Sequence, residues 1–118
     1  MINDLIQRIF ASRNAAHLAH WKTKSYSEHM ALCAFYNGLI EDIDAVVEAH
    51  QGVFDLVDLD SLPAMDLPSN LIKHLEDDLV WINRHRKAIT GGLPAIDNLV
   101  QALESTYMTT LYKLKHLT

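Results

Sequence analysis

Apolar residues recur along the chain at intervals of three and four, the spacing that places them on one face of a helix. In the first such segment, over residues 2–22, Ile2, Leu5, Ile6, Ile9, Phe10, Ala16 and His20 share a face. A second, over 26–51, opens on a capping pattern, Ser25-x-x-Glu28, and carries Leu32, Tyr36, Leu39, Ile40, Ile43 and Val47 as its inner stripe. Gly52 is placed to end it in a left-handed turn. A third, over 69–90, follows Pro68 and turns Leu71, Ile72, Leu75, Leu79, Ile82 and Ile89 inward before Gly91-Gly92. The fourth, over 94–116, starts at Pro94, a residue accepted in a first turn, and presents Ile96, Leu99, Val100, Leu103, Tyr107, Leu111 and Leu114. No stretch alternates in the manner of a strand. The pattern predicts an all-α protein, four helices packed as one bundle domain over residues 1–118.

Connection lengths bear on topology. Helices one and two are joined only by the residues around Lys22–Ser25, and helices three and four only by Thr90–Leu93, so each pair forms an antiparallel hairpin. Between the hairpins lies Val53–Pro68, which contains Pro63 and Pro68 as well as Asp55, Asp58, Asp60 and Asp66. Such a segment, extended, spans about 50 Å. A 24-residue helix is only about 36 Å long. The linker is therefore long enough to cross the bundle end to end and leave helices two and three parallel, the one-crossover arrangement of ferritin-like folds. A wandering hairpin loop is the other possibility.

Composition narrows the function classes. With 118 residues, 49% apolar and 21% charged, the chain has the makings of a folded core without disulfide or zinc staples. Its net charge is −5 and it has no basic run, so direct nucleic-acid binding is not expected. Asp4 and Arg8 interrupt the apolar N-terminal segment, which reads as neither a signal peptide nor a membrane span. The single cysteine, Cys33, suits a reducing compartment, and the expectation is a cytoplasmic protein.

Seven histidines are many for this length, and the chemistry starts with them. His20 lies on the apolar face of the first helix and His29 within the core stripe of the second, at the same end of a tight hairpin. An isolated histidine in such a place is usually a hydrogen-bonded core residue, but two that converge can share a metal. Farther along the second helix Asn37, Glu41, Asp44 and Glu48 form a polar stripe. Asp44 and Glu48, four apart, aim their carboxylates in one direction. His29 and Asp44 are fifteen residues apart, about 22 Å along a helix, so one chain cannot bring both to one ion. Two chains with antiparallel second helices about a two-fold axis can do so, which predicts a homodimer or larger homo-oligomer with two equivalent sites. Histidine with carboxylate suits iron, and zinc accepts the same ligands.

The run HWKTKSYSEHMALCAFYNGLIEDIDAVVEAHQG resembles the start of the Dps mini-ferritins. The resemblance lies in His20-Trp21, in His29, in an Asp fifteen residues after it and in a Glu four residues later, Asp44 and Glu48. It implies a ferritin-like bundle that oxidises and sequesters ferrous iron at a ferroxidase site between subunits. His20 and His29 would come from one chain and Asp44 and Glu48 from its partner, in an oligomer that builds an iron-storing shell. The separation of the two histidines is shorter than usual in that family, and Cys33 stands where an acid is common. The alternative is a ferritin-like structural or interaction protein with a vestigial or zinc-filled site.

Other residues receive structural readings. His17 is assigned to the boundary beside His20. His74, Asp78, Trp81 and His85 share one side of the third helix and read as an interface face. Arg13, on the apolar side of helix one, calls for an acidic partner or a water-filled gap, and Trp21 and Trp81 read as interface residues. His50 and His116 read as imidazolium ions complementing helix ends.

Overall fold

A computed structural model gives the arrangement of the chain and describes residues 1–62, 64 and 66–117. Four helices are formed, α1 (Ile2–Lys22), α2 (Tyr26–Val53), α3 (Leu71–Thr90) and α4 (Pro94–His116), with no strand among the described residues. Local chemistry accounts for their ends. Ser25 caps α2 by accepting from the Glu28 amide at 3.2 Å, while its own amide goes to Thr23 Oγ1, so only half of the expected capping box forms. Asn70 caps α3 by accepting from the Lys73 amide at 3.1 Å, so the helix starts two residues later than the pattern placed it. Pro94 starts α4, and Lys113, Lys115 and His116 lie in its last turn, where positive charge is favoured.

Two glycines behave differently from one another. Gly91 follows α3 with φ of 65°, the left-handed conformation that ends a helix. A Cβ there would come within 2.9 Å of the Phe54 ring, so the start of the linker is clipped onto that turn. Gly52, expected to terminate α2, lies inside the helix, which runs on to Val53 and is closed by the Phe54 amide bonding to the His50 carbonyl. The Phe54 ring packs on His50 at 4.6 Å, and that contact, with the seat on Gly91, carries the helix past the glycine.

The helices pack as a ring, α1 beside α2, α2 beside α4, α4 beside α3 and α3 beside α1. Contacts between α1 and α3 run in opposite chain directions, Arg8 meeting Asp78 and Ser12 meeting His74. Leu5, Ile9, Leu32, Leu39, Ile82, Val100, Leu103 and Tyr107 are fully buried along the axis. Each aliphatic side chain removed from water there stabilises the fold by roughly 1.5–3 kcal/mol. Phe35 and Val46, outside the predicted stripe, are also buried, because α2 is covered by α4 as well as α1. Ile40 and Val47 are only partly covered.

The linker starts at the end of the bundle that holds the α1 N-terminus, where Asn3 donates to Asp58 at 2.8 Å and the Val57 amide donates to Gln51. It finishes at the other end, where Leu67–Asn70 lie beside Lys22 and Thr23. Pro63, one of its two prolines, lies outside the described residues. No helix among the described residues is long and apolar enough to cross a membrane.

Candidate metal centre at the α1–α2 turn

The turn at Thr23–Ser25 is short enough to hold the last turn of α1 against the first turn of α2. His20, 9% exposed, and His29, half-buried, meet there. His20 Nδ1 donates to the His29 carbonyl at 2.7 Å, and His29 Nδ1 donates to the His20 carbonyl at 2.8 Å. A carbonyl oxygen only accepts, so a proton sits on each Nδ1, and in its neutral form each ring carries its lone pair on Nε2. The rings stack, centroids 3.6 Å apart and 19° from parallel. Among the described residues neither Nε2 has a hydrogen-bond partner, and neither is sealed from solvent. A histidine whose Nδ1 is fixed by a carbonyl and whose Nε2 is open has the second-sphere arrangement typical of a metal ligand.

Aromatic residues frame the pair. Tyr26 stacks beyond His29 at 6.4 Å, and Tyr36 meets the edge of His20 at 5.4 Å. His17 lies flat on Tyr36 at 4.1 Å and against Trp21 at 4.3 Å. Its pKa is lowered by desolvation and by the nearby Arg13 and His20, which holds the ring neutral. Among the described residues Arg13 meets no acid, one of the two settings expected for it. Its guanidinium sits 5.3 Å over the Tyr36 ring, and Tyr36 serves as the platform for both cation and imidazole. That role was missed in the sequence, where Tyr36 reads only as a core residue, although it lies seven positions after His29 on the same stripe.

Asp44 and Glu48 are exposed toward the opposite end of α2, with no hydrogen bond or ion pair among the described residues. One chain therefore does not unite them with the histidines. No three His, Cys, Asp or Glu side chains among the described residues come together to hold a metal. Cys33 accepts a long contact from Asn37 at 3.5 Å and is partly buried.

The side of α3 carrying His74, Asp78, Trp81 and His85, read from the sequence as an interface face, is bonded within the chain around Asp78. Asp78 is 1% exposed and points into the bundle, where Arg8, Ser12 and Tyr107 all donate to its carboxylate. Because the Ser12 hydroxyl is given to Asp78, His74 Nε2 donates to Ser12 Oγ at 3.0 Å. Trp81 lies under the Arg8 guanidinium at 4.5 Å and stacks on His85 at 4.4 Å. Intrachain bonding thus occupies most of this side. His50 also departs from expectation. Burial lowers its pKa, which disfavours the imidazolium read at the helix end.

Comparison with known proteins yields a family match. No curated protein and no solved structure matches the chain. A family of unknown function, DUF5856, matches over residues 20–114, from His20 through the last turns of α4. The chain belongs to the DUF5856 family.

Proposed function

We propose that this chain is a Dps-like iron protein of ferritin-like architecture that binds ferrous iron as its substrate and oxidises it at a site shared between two copies. The observation that carries this reading is the His20–His29 pair, with both Nδ1 atoms tied to backbone carbonyls and both Nε2 atoms left open. Two neutral nitrogens do not neutralise an oxidised ion. Asp44 and Glu48 of a second copy supply the negative charge, and their exposure leaves them free to do so. In this reading His20 and His29 position the ion, the carboxylates favour the more highly charged product, and dioxygen or peroxide accepts the electrons. The ferritin-like topology is part of the proposal. Its support is that α1 runs antiparallel to both α2 and α3, which points α2 and α3 the same way, and that the linker begins and finishes at opposite ends of the bundle.

Oxygen uptake on adding ferrous iron tests the reading. Glu48→Gln should slow it by about tenfold or more while the fold survives, since outer and inner ligand changes have effects of that order. Glu41→Gln, on the same exposed stripe, should do much less. Equal effects would assign the binding to general surface charge.

A second reading has its own support. The lack of a complete ligand cluster among the described residues of one chain and Cys33 in place of an acid both fit a structural or interaction bundle, with zinc or no metal at the histidines. Zinc that binds without any ferrous oxidation would favour it.

A further inference from the structure

Trp21 follows His20 directly and is 67% exposed, an unusual position for the largest apolar side chain. Near the other end of the hairpin, α1, α2 and the linker enclose an apolar groove of about 470 Å³ lined by Ile6, Phe10, Val47, Val57, Leu59 and Leu62. Asp44 and Asp60 stand on its walls. We infer that Trp21 of one copy seats in this groove of a second copy, and that the reciprocal contact locks the dimer around the proposed shared site. The inference rests on the shared-site reading and supplies the contact that sets its register.

Two independent observations support it. The first is position along the helices. Pairing the His29 level with the Asp44/Glu48 level places the two-fold axis near Asn37 and Gly38 of α2. Trp21 lies at the His29 level, because His20 bonds to His29 across the turn. The same axis carries that level onto Val47, which lines the groove. The second is charge. Exposed Lys22 and Lys24, with Glu28 as the local acid, flank the tryptophan end. Exposed Glu41, Asp44, Glu48 and Asp60 surround the groove end. Antiparallel pairing sets the basic end of each copy on the acidic end of the other, and like ends together would repel. A buried tryptophan covers roughly 150–250 Å² and is a common anchor of such contacts.

The experiment uses the whole chain with Trp81→Phe, so that Trp21 is the remaining indole. Sedimentation and fluorescence are followed on dilution. The expected result is a dimer whose Trp21 emission is blue-shifted and moves to that of an exposed indole as the dimer dissociates. In the natural background, Trp21→Ala removes the anchor from both symmetric contacts and should raise the dimer dissociation constant at least about thirtyfold. Leu62→Glu, at a groove position 43% exposed and so tolerated by the fold, should act similarly. Tyr112→Ala, on exposed α4 surface away from the groove, should not. A dimer with solvent-exposed Trp21, or one indifferent to Trp21→Ala and Leu62→Glu, would overturn the docking and leave the shared metal site standing. A chain monomeric at every concentration would overturn both.

Discussion

The bundle places histidine and aspartate at helical spacing in two regions, and the two are finished in opposite ways. Around Asp78 both carboxylate oxygens accept from side chains, Arg8 on one and Ser12 and Tyr107 on the other, and His74 is bonded to Ser12 through Nε2. At the α1–α2 turn only the inner nitrogens are used, because backbone carbonyls hold Nδ1 of His20 and His29 and leave the outer nitrogens open. Residue type and spacing do not distinguish a structural polar centre from a ligand pair. The distinction lies in which atoms the rest of the molecule leaves unpaired. A buried carboxylate must be satisfied internally or it destabilises the fold. A half-buried imidazole at a bundle end can keep one nitrogen for a ligand, because water satisfies it otherwise.

The contrast can be broken most severely at Asp78. Asp78→Ala strands the buried hydroxyls of Ser12 and Tyr107, each costing about 1–3 kcal/mol when unsatisfied. A loss of roughly 3 kcal/mol in urea unfolding is expected. Metal binding, extrapolated to the folded fraction, should be unchanged. If Asp78→Ala abolished binding without destabilising the fold, the roles of the two regions would be exchanged.

His29→Ala makes the complementary break. It removes one open nitrogen and one backbone bond, so it should weaken zinc or anaerobic ferrous binding by at least about tenfold. Its stability cost should be only about 1 kcal/mol. Calorimetric titration and thermal unfolding of the same sample measure both. Binding should also weaken as the solution is acidified, since protons compete for the same Nε2 lone pairs.

A gentler effect concerns the histidines whose surroundings keep them neutral. His17 and His50 have lowered pKa values in the fold, chiefly through desolvation. Above the ordinary histidine value of 6.5 both states are neutral and these groups contribute nothing to the pH dependence. As pH falls below it the unfolded chain takes up protons that the fold resists, so stability is lost through that window. The double variant His17→Gln, His50→Gln should show a shallower loss over the same range in pH-dependent urea melts.

The smallest expected effect is at Asp42, whose carboxylate accepts from Thr106 at 2.6 Å and whose pKa is raised by burial. Ionisation is disfavoured in the fold, so the wild type gains stability as pH falls through that raised value toward the unfolded one. Asp42→Asn can still accept from Thr106. It should remove that gain and change neutral-pH stability by no more than about 0.5 kcal/mol.

Much of the fold was legible in the sequence, and the reasons are local. Ser25, Pro94 and Gly91 act through their own backbone, so the helix ends they mark fall where the pattern placed them, within a residue or two. Gly52 misled because the packing of Phe54 on His50 and Gly91 depends on distant chain. The convergence of His20 and His29 was also readable, since a three-residue turn leaves little freedom. Their carbonyl bonds were not, because a wheel places rings without giving their hydrogen-bond partners. The inward bonding of Asp78, on the side read as an interface face, was hidden for a related reason. Ser12 and Tyr107 are 66 and 29 residues from Asp78 in sequence, and no periodicity announces that they share its carboxylate. Arg13 was given an acid or a water-filled gap by charge logic alone, whereas Tyr36 offered the face of a ring.

Mixing two defective chains tests the shared site most directly. One carries His20→Ala and His29→Ala with its acids intact, and the other carries Asp44→Asn and Glu48→Gln with its histidines intact. Each alone should bind ferrous iron or zinc weakly. Unfolded together and refolded at equal amounts, random pairing makes half of the dimers mixed, and each mixed dimer rebuilds one of its two sites. The expected result is recovery of roughly a quarter of the wild-type sites, as two-fold symmetry requires. A mixture that binds no more metal than its separate components, with mixed dimers shown to be present, would contradict a site built from two chains.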